Sequence, residues 1–548
     1  MKIKLFYLAL IISSLSYGQY SFEQIDIWSG SNGSSPRYFT KFGGEMYFQA
    51  FDITPSFKKL YKTNGTTSGT QVIATNLNGG AGYSPESMYV MNGELFFTAT
   101  VSGVGMELYK TDGTDVGTVL VKDVRTGSSN GMDSNTNDRE IFAEYNGELY
   151  FRGNTDTSIQ LWKTNGTEAG TVAVKDFGSG NSPNYIQKGE TSTMGLEFDN
   201  ALFFIMNNEL WKTDGTEAGT VKVKENLSGI KEFIVFDGLL YFVAGTESTP
   251  TGSEIWVSDG TSSGTVLKFD IFPNDTQSSG FNIIGSNPRD LFIFNNELYF
   301  TAHGYLNNES TGRELWKSDG NSVSLVKDIK TGNNEDGINL PRFTVFENEL
   351  YFRASDNTTS DFELWKTDGT ENGTIKVVSV SDTGESIEFL HATEYDGKLF
   401  YFDSQQLWVT DGTSIGTEAL TGNAKEIILI SSFEPLVYQN KLWFSGTDMD
   451  NGNELTSLSS GTLSADEFKE EAFQLYPNPV TNELSIQLKG SLSIKLIKIY
   501  NVLGREIDNV PYNKITKKIS MKNLDSGIYI LFLESNEGRV LTKKIIKR

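Results

Sequence analysis

Nine times along this chain a short apolar stretch runs into a two-residue polar turn and then into a phrase of the form GELYFRG. The phrases begin at Gly44, Gly93, Gly147, Asn200, Gly238, Asn296, Asn348, Gly397 and Asn440. Asn-Gly and its relatives tolerate left-handed backbone at both central positions of a type I′ turn, so each stretch and phrase reads as a tight β-hairpin. A second phrase, ELWKTDGTEAGT where it starts at Glu209, follows eight of these hairpins with small changes. Its glycines and Asp or Asn suit a sharp loop between two further strands, because Asp bonds backbone two residues on and glycine takes conformations that a Cβ forbids. Each unit is thus four antiparallel strands. Runs such as Leu149-Tyr150-Phe151 suit inner strands covered on both faces, and Glu, Lys and Thr mark the outer ones. No unit has a helical period.

The turn glycines Gly65, Gly113, Gly166, Gly215, Gly260, Gly320, Gly369 and Gly412 recur about every 50 residues. Four short strands at that period predict an all-β chain forming a β-propeller of nine four-stranded blades, or eight with a divergent terminal unit. The ninth unit lacks a persuasive fourth strand, whereas the segment after the expected leader resembles one. Residues 25–28 are therefore expected to complete the last blade.

Charge and composition narrow the function. The net charge is −24, made of about +7 after residue 472 and −31 before it, so nucleic acid is an unsuitable partner. With no cysteine, disulfides, thiol catalysis and thiolate metal sites are excluded. Lys2 and Lys4 precede an apolar run and small residues Ser16 and Gly18, the pattern of a signal peptide over 1–18. No transmembrane segment is expected, because no apolar run reaches the ~20 residues a spanning helix takes.

The repeat phrase resembles that of the ELWxxDGT-repeat proteins of Bacteroidetes-type bacteria, and in layout the kelch propellers. That resemblance implies kelch-like blades over 19–462 and no particular activity. After a linker at 463–472 the wording changes. The blocks FQLYPNPVTNELSIQL, IKIYNVLGREI, LDSGIYILFLES and LTKKIIKR resemble the C-terminal sorting domain of type IX secretion, type A. Its motif residues here are Tyr476, Pro477, Asn478, Pro479, Gly504 and Gly527. The resemblance implies a small β-sandwich over 473–548, the type IX secretion machinery as partner, and delivery to the cell surface or medium.

Candidate chemistry is sparse. Gly260-Thr261-Ser262-Ser263-Gly264 and the copy at Gly412 fit G-x-S-x-G but sit in the repeat's own hairpin loop, so neither Ser262 nor Ser414 is a nucleophile. His303 and His391 are the whole histidine complement, the second on an expected innermost strand. Trp162, Trp211, Trp256, Trp316, Trp365 and Trp408 share one repeat position, which is a packing position. Trp28 and Trp443 lie outside it. Calcium is the one cofactor with candidate ligands: Asp133, Asn135, Asn137 and Glu144 in one loop, and Asp448, Asp450 and Glu454 in another, although solvated polar loops are the favoured account of each. No catalytic residue stands out, and any would be sought where the repeat is interrupted, at 179–197 and 270–288. The expected function is therefore a binding or adhesion module for an extracellular glycan or protein. The alternatives are a propeller-fold carbohydrate lyase or hydrolase, and a structural surface component without a ligand.

Overall fold

A computed structural model describes residues 20–548 except 31, 52–57, 76, 78–82, 133–138, 179–181, 189–190, 247–251, 273–284, 307–308, 333–334, 359, 380–385, 404–405, 421–428, 431–433, 449–450, 461–472, 489–493, 502–506, 508–511, 514–515 and 536–539. The expected leader and linker, together with Asp133, Asn135, Asn137, Asp450 and Gly504, lie outside the described residues. The chain divides into two compact units, one spanning Phe22–Ser459 and the other including Ser460–Arg548. Among the described residues the helical content is one 3-10 turn at Thr67–Gly69.

Nine antiparallel sheets make up the large unit, spanning 37–73, 86–122, 143–175, 183–224, 227–269, 289–327, 344–378, 390–419 and 429–460, and numbered here in that order. In the first to the eighth, hydrogen-bonded neighbours follow chain order, as the two-hairpin pattern requires. The hairpin turns take the left-handed geometry that the Asn-Gly pattern demands, with φ of 51° and 72° at Asn146 and Gly147, for example. The ninth sheet receives its outer strand from the start of the chain: Tyr20–Ile25 pairs with Gly452–Ser460. That strand ends where 25–28 was expected to begin, because Ile27 and Trp28 are otherwise engaged. Their backbone N–H groups donate to the Glu454 carboxylate at 3.0 and 3.2 Å.

The Leu-Tyr-Phe triplet of the second strand shows how the sheets are held together. Side chains alternate across a strand, so Leu149 and Phe151 of the third sheet pack with Phe96 and Leu108 of the second. Tyr150, between them, packs with Leu202 and Phe204 of the fourth. The same division holds at Leu350, Phe352 and Tyr351 in the seventh sheet. Phe402 and Phe444 rings, 6.0 Å apart, link the eighth sheet to the ninth, and Trp443 and Leu455 of the ninth share a core with Met46 and Phe48 of the first. Contacts therefore pass through every sheet and return to the start. Trp443 is fully buried and its indole N–H donates to the Tyr438 carbonyl, which makes it a packing residue.

Each D-G-T turn sits on an aromatic side chain of the preceding sheet. Gly113 has φ +94°, and a Cβ there would stand 2.5 Å from the Tyr47 hydroxyl. Tyr150, Tyr299 and Tyr351 stand in the same way beneath Gly215, Gly369 and Gly412, and Trp443 stands beneath Gly65. The rest of the phrase folds the loop on itself. The Asp112 carboxylate accepts from the Thr114 N–H at 2.9 Å and hydroxyl at 2.7 Å, and Thr111 and Thr118 share a hydroxyl bond of 2.8 Å. A Cβ on Gly117 would meet the same carboxylate at 2.0 Å. In the exposed turn loops Ser262 and Ser414 contribute backbone carbonyls, which accept from the Lys224 ammonium at 3.1 Å and the Thr417 N–H at 3.4 Å.

In several copies the first residue of the phrase is a buried glutamate. Glu107, Glu254, Glu314 and Glu454 are buried, and each carboxylate accepts backbone N–H groups of the loop leading to the neighbouring sheet. For Glu107 these donors are Val124, Arg125 and Gly131. Burial outweighs the N–H bonds and pushes the Glu107 and Glu254 carboxyls up to about 7.

The small unit pairs a four-stranded sheet with a three-stranded one over a single core that includes Leu484, Ile486, Ile499, Leu531 and Ile545. Asn478 acts as a strand surrogate, its amide donating to the Lys544 carbonyl at 2.8 Å and accepting from the Ile546 N–H at 2.8 Å. Gly527 opens the strand Gly527–Ser535.

Two outcomes follow for stability. Gly113→Ala should lose at least ~1 kcal/mol through the left-handed backbone alone, with a further loss from the hydroxyl contact. Tyr47→Phe should recover that second part, so urea denaturation of the two single variants and the double variant should give a coupling energy of ~0.5–3 kcal/mol; strict additivity would show that the contact is slack. For pH, the folded Glu107 and Glu254 carboxyls bind protons more tightly than unfolded ones near 4.5. Stability is therefore expected to fall as pH rises from about 4.5 through about 7, and Glu107→Gln with Glu254→Gln should flatten that slope in thermal melts.

Candidate binding cavity

The repeat spares one strand. In the first strand of five sheets an extra residue bulges out of the pairing and takes a left-handed backbone, Tyr38, Ser87, Glu232, Asp290 and His391, and Arg342 does so just ahead of the first strand of the seventh sheet, with φ between 50° and 63°. Arg342 is placed in this register by the Arg353 N–H, which donates to the Pro341 carbonyl ahead of the Thr344↔Tyr351 pair. A bulge turns a side chain away from the ladder, and a left-handed non-glycine residue costs roughly 1–2 kcal/mol. In three of the sheets a threonine two residues on braces the bulge. The Thr40, Thr344 and Thr393 hydroxyls donate to the carbonyls of Tyr38, Arg342 and His391.

Three of these bulge residues, Asp290, Arg342 and His391, face one cavity of about 910 Å³. Its lining comes from the second to the ninth sheets, chiefly from their first strands. A three-stranded sheet inserted between the third and fourth, made of Arg139–Glu140, Ile186–Lys188 and Thr191–Thr193, adds Glu140 and Thr193. That sheet is what the 179–197 interruption of the repeat builds. The volume lies within the ~300–1,000 Å³ typical of small-ligand sites.

The charges in this cavity are mixed. Glu140, Glu144 and Glu197 come from the third and fourth sheets and the inserted one, Glu434 comes from the span of the ninth, and Arg342 and His391 come from the seventh and eighth. Tyr89 donates its hydroxyl to Glu144 at 3.1 Å, and burial together with that carboxylate pushes the phenol up to about 12. Phe142, Phe233, Phe292, Phe343 and Phe389 line the cavity as well. Asp290 accepts the Thr301 hydroxyl at 2.9 Å, and burial raises its carboxyl against the pull of Arg313, Arg289 and Lys231.

Behind Asp290 lies a polar cluster special to the fifth and sixth sheets. Lys231 donates to the Asn287 amide oxygen at 3.0 Å, and burial and Arg289 bring its amine down to about 8. The buried Arg313 guanidinium donates to the Asn287 carbonyl at 2.9 Å and is brought down to about 10 by burial and then Arg289. His303 is here and not in the cavity, 3.7 Å from the Asp336 carboxylate; burial and Arg313 hold its imidazole at about 4, so it is neutral near pH 7.

Of the calcium candidates, Glu144, Asp448 and Glu454 lie among the described residues. Glu144 lies in the cavity wall. Asp448 accepts from the Asn451 N–H and side-chain amide, and Glu454 is committed to Ile27, Trp28 and Ser34. Among the described residues no group of three His, Asp or Glu side chains is placed to hold a metal ion. Asp290, Arg342, Glu140 and Glu197 were not singled out by sequence reasoning. A signal for the bulge residues exists: each of the six stands five positions before the first residue of its hairpin turn, at a place where the repeat writes Tyr, Ser, Glu, Asp, Arg or His.

Comparison with known proteins bears mainly on the small unit. Residues 474–548 match the secretion system C-terminal sorting domain. Ulvan lyase NLR42 of Nonlabens ulvanivorans is 33% identical over 91 residues, 16% of this chain and 17% of that protein, so the chain spans under a fifth of this relative's length. Among solved structures, a puromycin-hydrolyzing peptidase of Mycobacterium tuberculosis is similar at TM-score 0.35 and 9% identity, covering 68% of this chain and 59% of its own. Oligopeptidase B of Leishmania major is similar at TM-score 0.33 and 8% identity, covering 93% and 54%. Likenesses of that strength carry no argument about this fold or its chemistry. Among the described residues no helix is long and apolar enough to cross a membrane. The C-terminal 75 residues are a type IX secretion sorting domain, and the protein is exported across the outer membrane, to be held at the surface or released.

Proposed function

We propose that the large unit is a nine-bladed β-propeller of ELWxxDGT repeats that binds an extracellular ligand in its central cavity. Its domain would run over 19–462 and be joined by a linker at 463–472 to the sorting domain at 473–548. Support for the ring comes from the return of contacts from the ninth sheet to the first, with the N-terminal strand completing the ninth. The observation that carries the binding reading is the cavity itself. Its polar lining comes from positions that differ from sheet to sheet, while the repeat fixes turns and packing around them. A rigid scaffold that leaves one strand free to vary is suited to recognition.

A panel of extracellular glycans and peptides presented to the exported protein should show retention of at least one ligand without product formation. Replacing Arg342 by Gln, or Glu197 by Gln, should weaken that retention ~10-fold or more, the order of one lost charge-assisted contact. Val116→Ser in an exposed turn should leave it unchanged. Turnover of any panel member would replace the binding reading with an enzymatic one, and equal retention by all variants would place recognition outside the cavity.

A further inference from the structure

We infer that the outer face of the three-stranded sheet in the small unit is the surface by which the sorting domain is held during export, and that its partner is a protein of the export machinery presenting an apolar patch flanked by carboxylates. The inference concerns the small unit alone and does not depend on the cavity. The sheet is made of Ile494–Asn501, Gly527–Ser535 and Val540–Lys547, with the second of these in the middle. Side chains alternate across each strand, so Ile499, Tyr529, Leu531 and Ile545 enter the core between the two sheets and their neighbours in sequence point away from it. Those neighbours are apolar too. Leu496, Ile528, Ile530 and Ile546 are 38, 43, 40 and 38% exposed.

Register gathers them into one patch, because residues directly opposite in an antiparallel pair share a face. Ile528 stands across from Ile546, Ile530 between Tyr500 and Lys544, and Phe532 between Lys498 and Thr542. The Tyr500 and Phe532 rings meet edge to face at 6.5 Å. Leu496 extends the patch at the end where the register sets Glu534 opposite it. The outer face of the four-stranded sheet is of the other kind. There Leu484, Ile486 and Ile519 go to the core, and the alternating positions are Tyr476, Glu483, Ser485, Lys518 and Ser520, with Glu483 and Lys518 paired at 2.9 Å. Scattered apolar side chains on a surface need no explanation, but a contiguous set confined to one of two sheet faces marks an interaction surface.

The occupant follows from charge and from what the unit is. Lys498 and Lys544 stand in the rows of the patch, and the chain after residue 472 carries about +7, so a second copy of this face would set like charges together. The unit matches a secretion system sorting domain, which is read by other proteins on the way out of the cell. A protein surface with an apolar centre and carboxylates beside it answers both features.

Ile528→Thr with Ile530→Thr keeps β-branched side chains in the strand and removes apolar contact, so it tests the face in the full-length protein produced in cells that export it. The fraction reaching the surface or medium should fall ~10-fold or more, the remainder being held inside the outer membrane, while thermal melts show the variant folded. Ile528→Val with Ile530→Val should be exported normally, as should Ser485→Ala with Ser520→Ala on the opposite face. Lys544 is exposed, so Lys544→Glu probes the same face without disturbing packing: export should fall several-fold, and Lys544→Arg should not lower it. The inference is overturned if the folded threonine variant or Lys544→Glu is exported at the parent level, or if the serine variant is retained as strongly as the threonine one. Phosphatidylglycerol vesicles supply the last arm. Binding to them by the purified protein that the threonine variant loses would assign the face to a lipid surface and overturn the protein partner; no such binding is the expected result.

Discussion

The close approach of each turn glycine to an aromatic ring of the sheet before it governs this architecture. A side chain at Gly113 or Gly369 would enter the space held by Tyr47 or Tyr299, so the glycine is required both by backbone hand and by its neighbour. The aromatic in turn must stand between Leu and Phe on its strand, because alternation sends those two to the opposite sheet. Thus one contact fixes the Leu-Tyr-Phe triplet, the turn glycine and the spacing between them, and the contact recurs at every unit. The same logic applies at the seam, where Gly65 of the first sheet meets Trp443 of the ninth. Packing of the first sheet on the ninth buries faces that would otherwise be left to fray.

Around that contact the repeat distributes smaller tasks. Glutamate and lysine at the edges of the hairpins pair within a sheet, as Lys110 does with Glu94 at 2.8 Å and Lys366 with Glu349 at 2.8 Å. Being partly exposed, such pairs contribute roughly 0–1 kcal/mol each, so they serve register more than stability. The buried glutamates matter differently, since each collects loop N–H groups that would otherwise be orphaned between sheets. Where the repeat writes Gln160 instead, the amide takes a different partner, donating to Ser158 at 3.0 Å.

Legibility in the sequence divides along the same line. The hairpins, the type I′ turns and the D-G-T loop were readable because their residues have only local reasons to be there, such as positive φ at Asn146 and Gly147. Capture of the N-terminal strand was also readable, from a missing strand at one end and a spare one at the other. Its position was not, because strand identity cannot show that Ile27 and Trp28 would be claimed by Glu454. The burial of the phrase's glutamate at Glu107, Glu254 and Glu314 was not legible, since it depends on loops that arrive from elsewhere. Least visible was the bulge, whose occupants share geometry and no chemistry, so an alignment that seeks repeated letters passes over Asp290, Arg342 and His391.

The charge of the whole molecule gives those three positions added weight. A body of net charge near −31 repels anions at a distance, and an arginine in a cavity partly lined with carboxylates must act at short range to be of use. A purely anionic polymer would meet that repulsion before it met Arg342. Glu140, Glu144, Glu197 and Glu434 line the same cavity, so Arg342 can engage an anionic group there only by direct contact and not by long-range attraction.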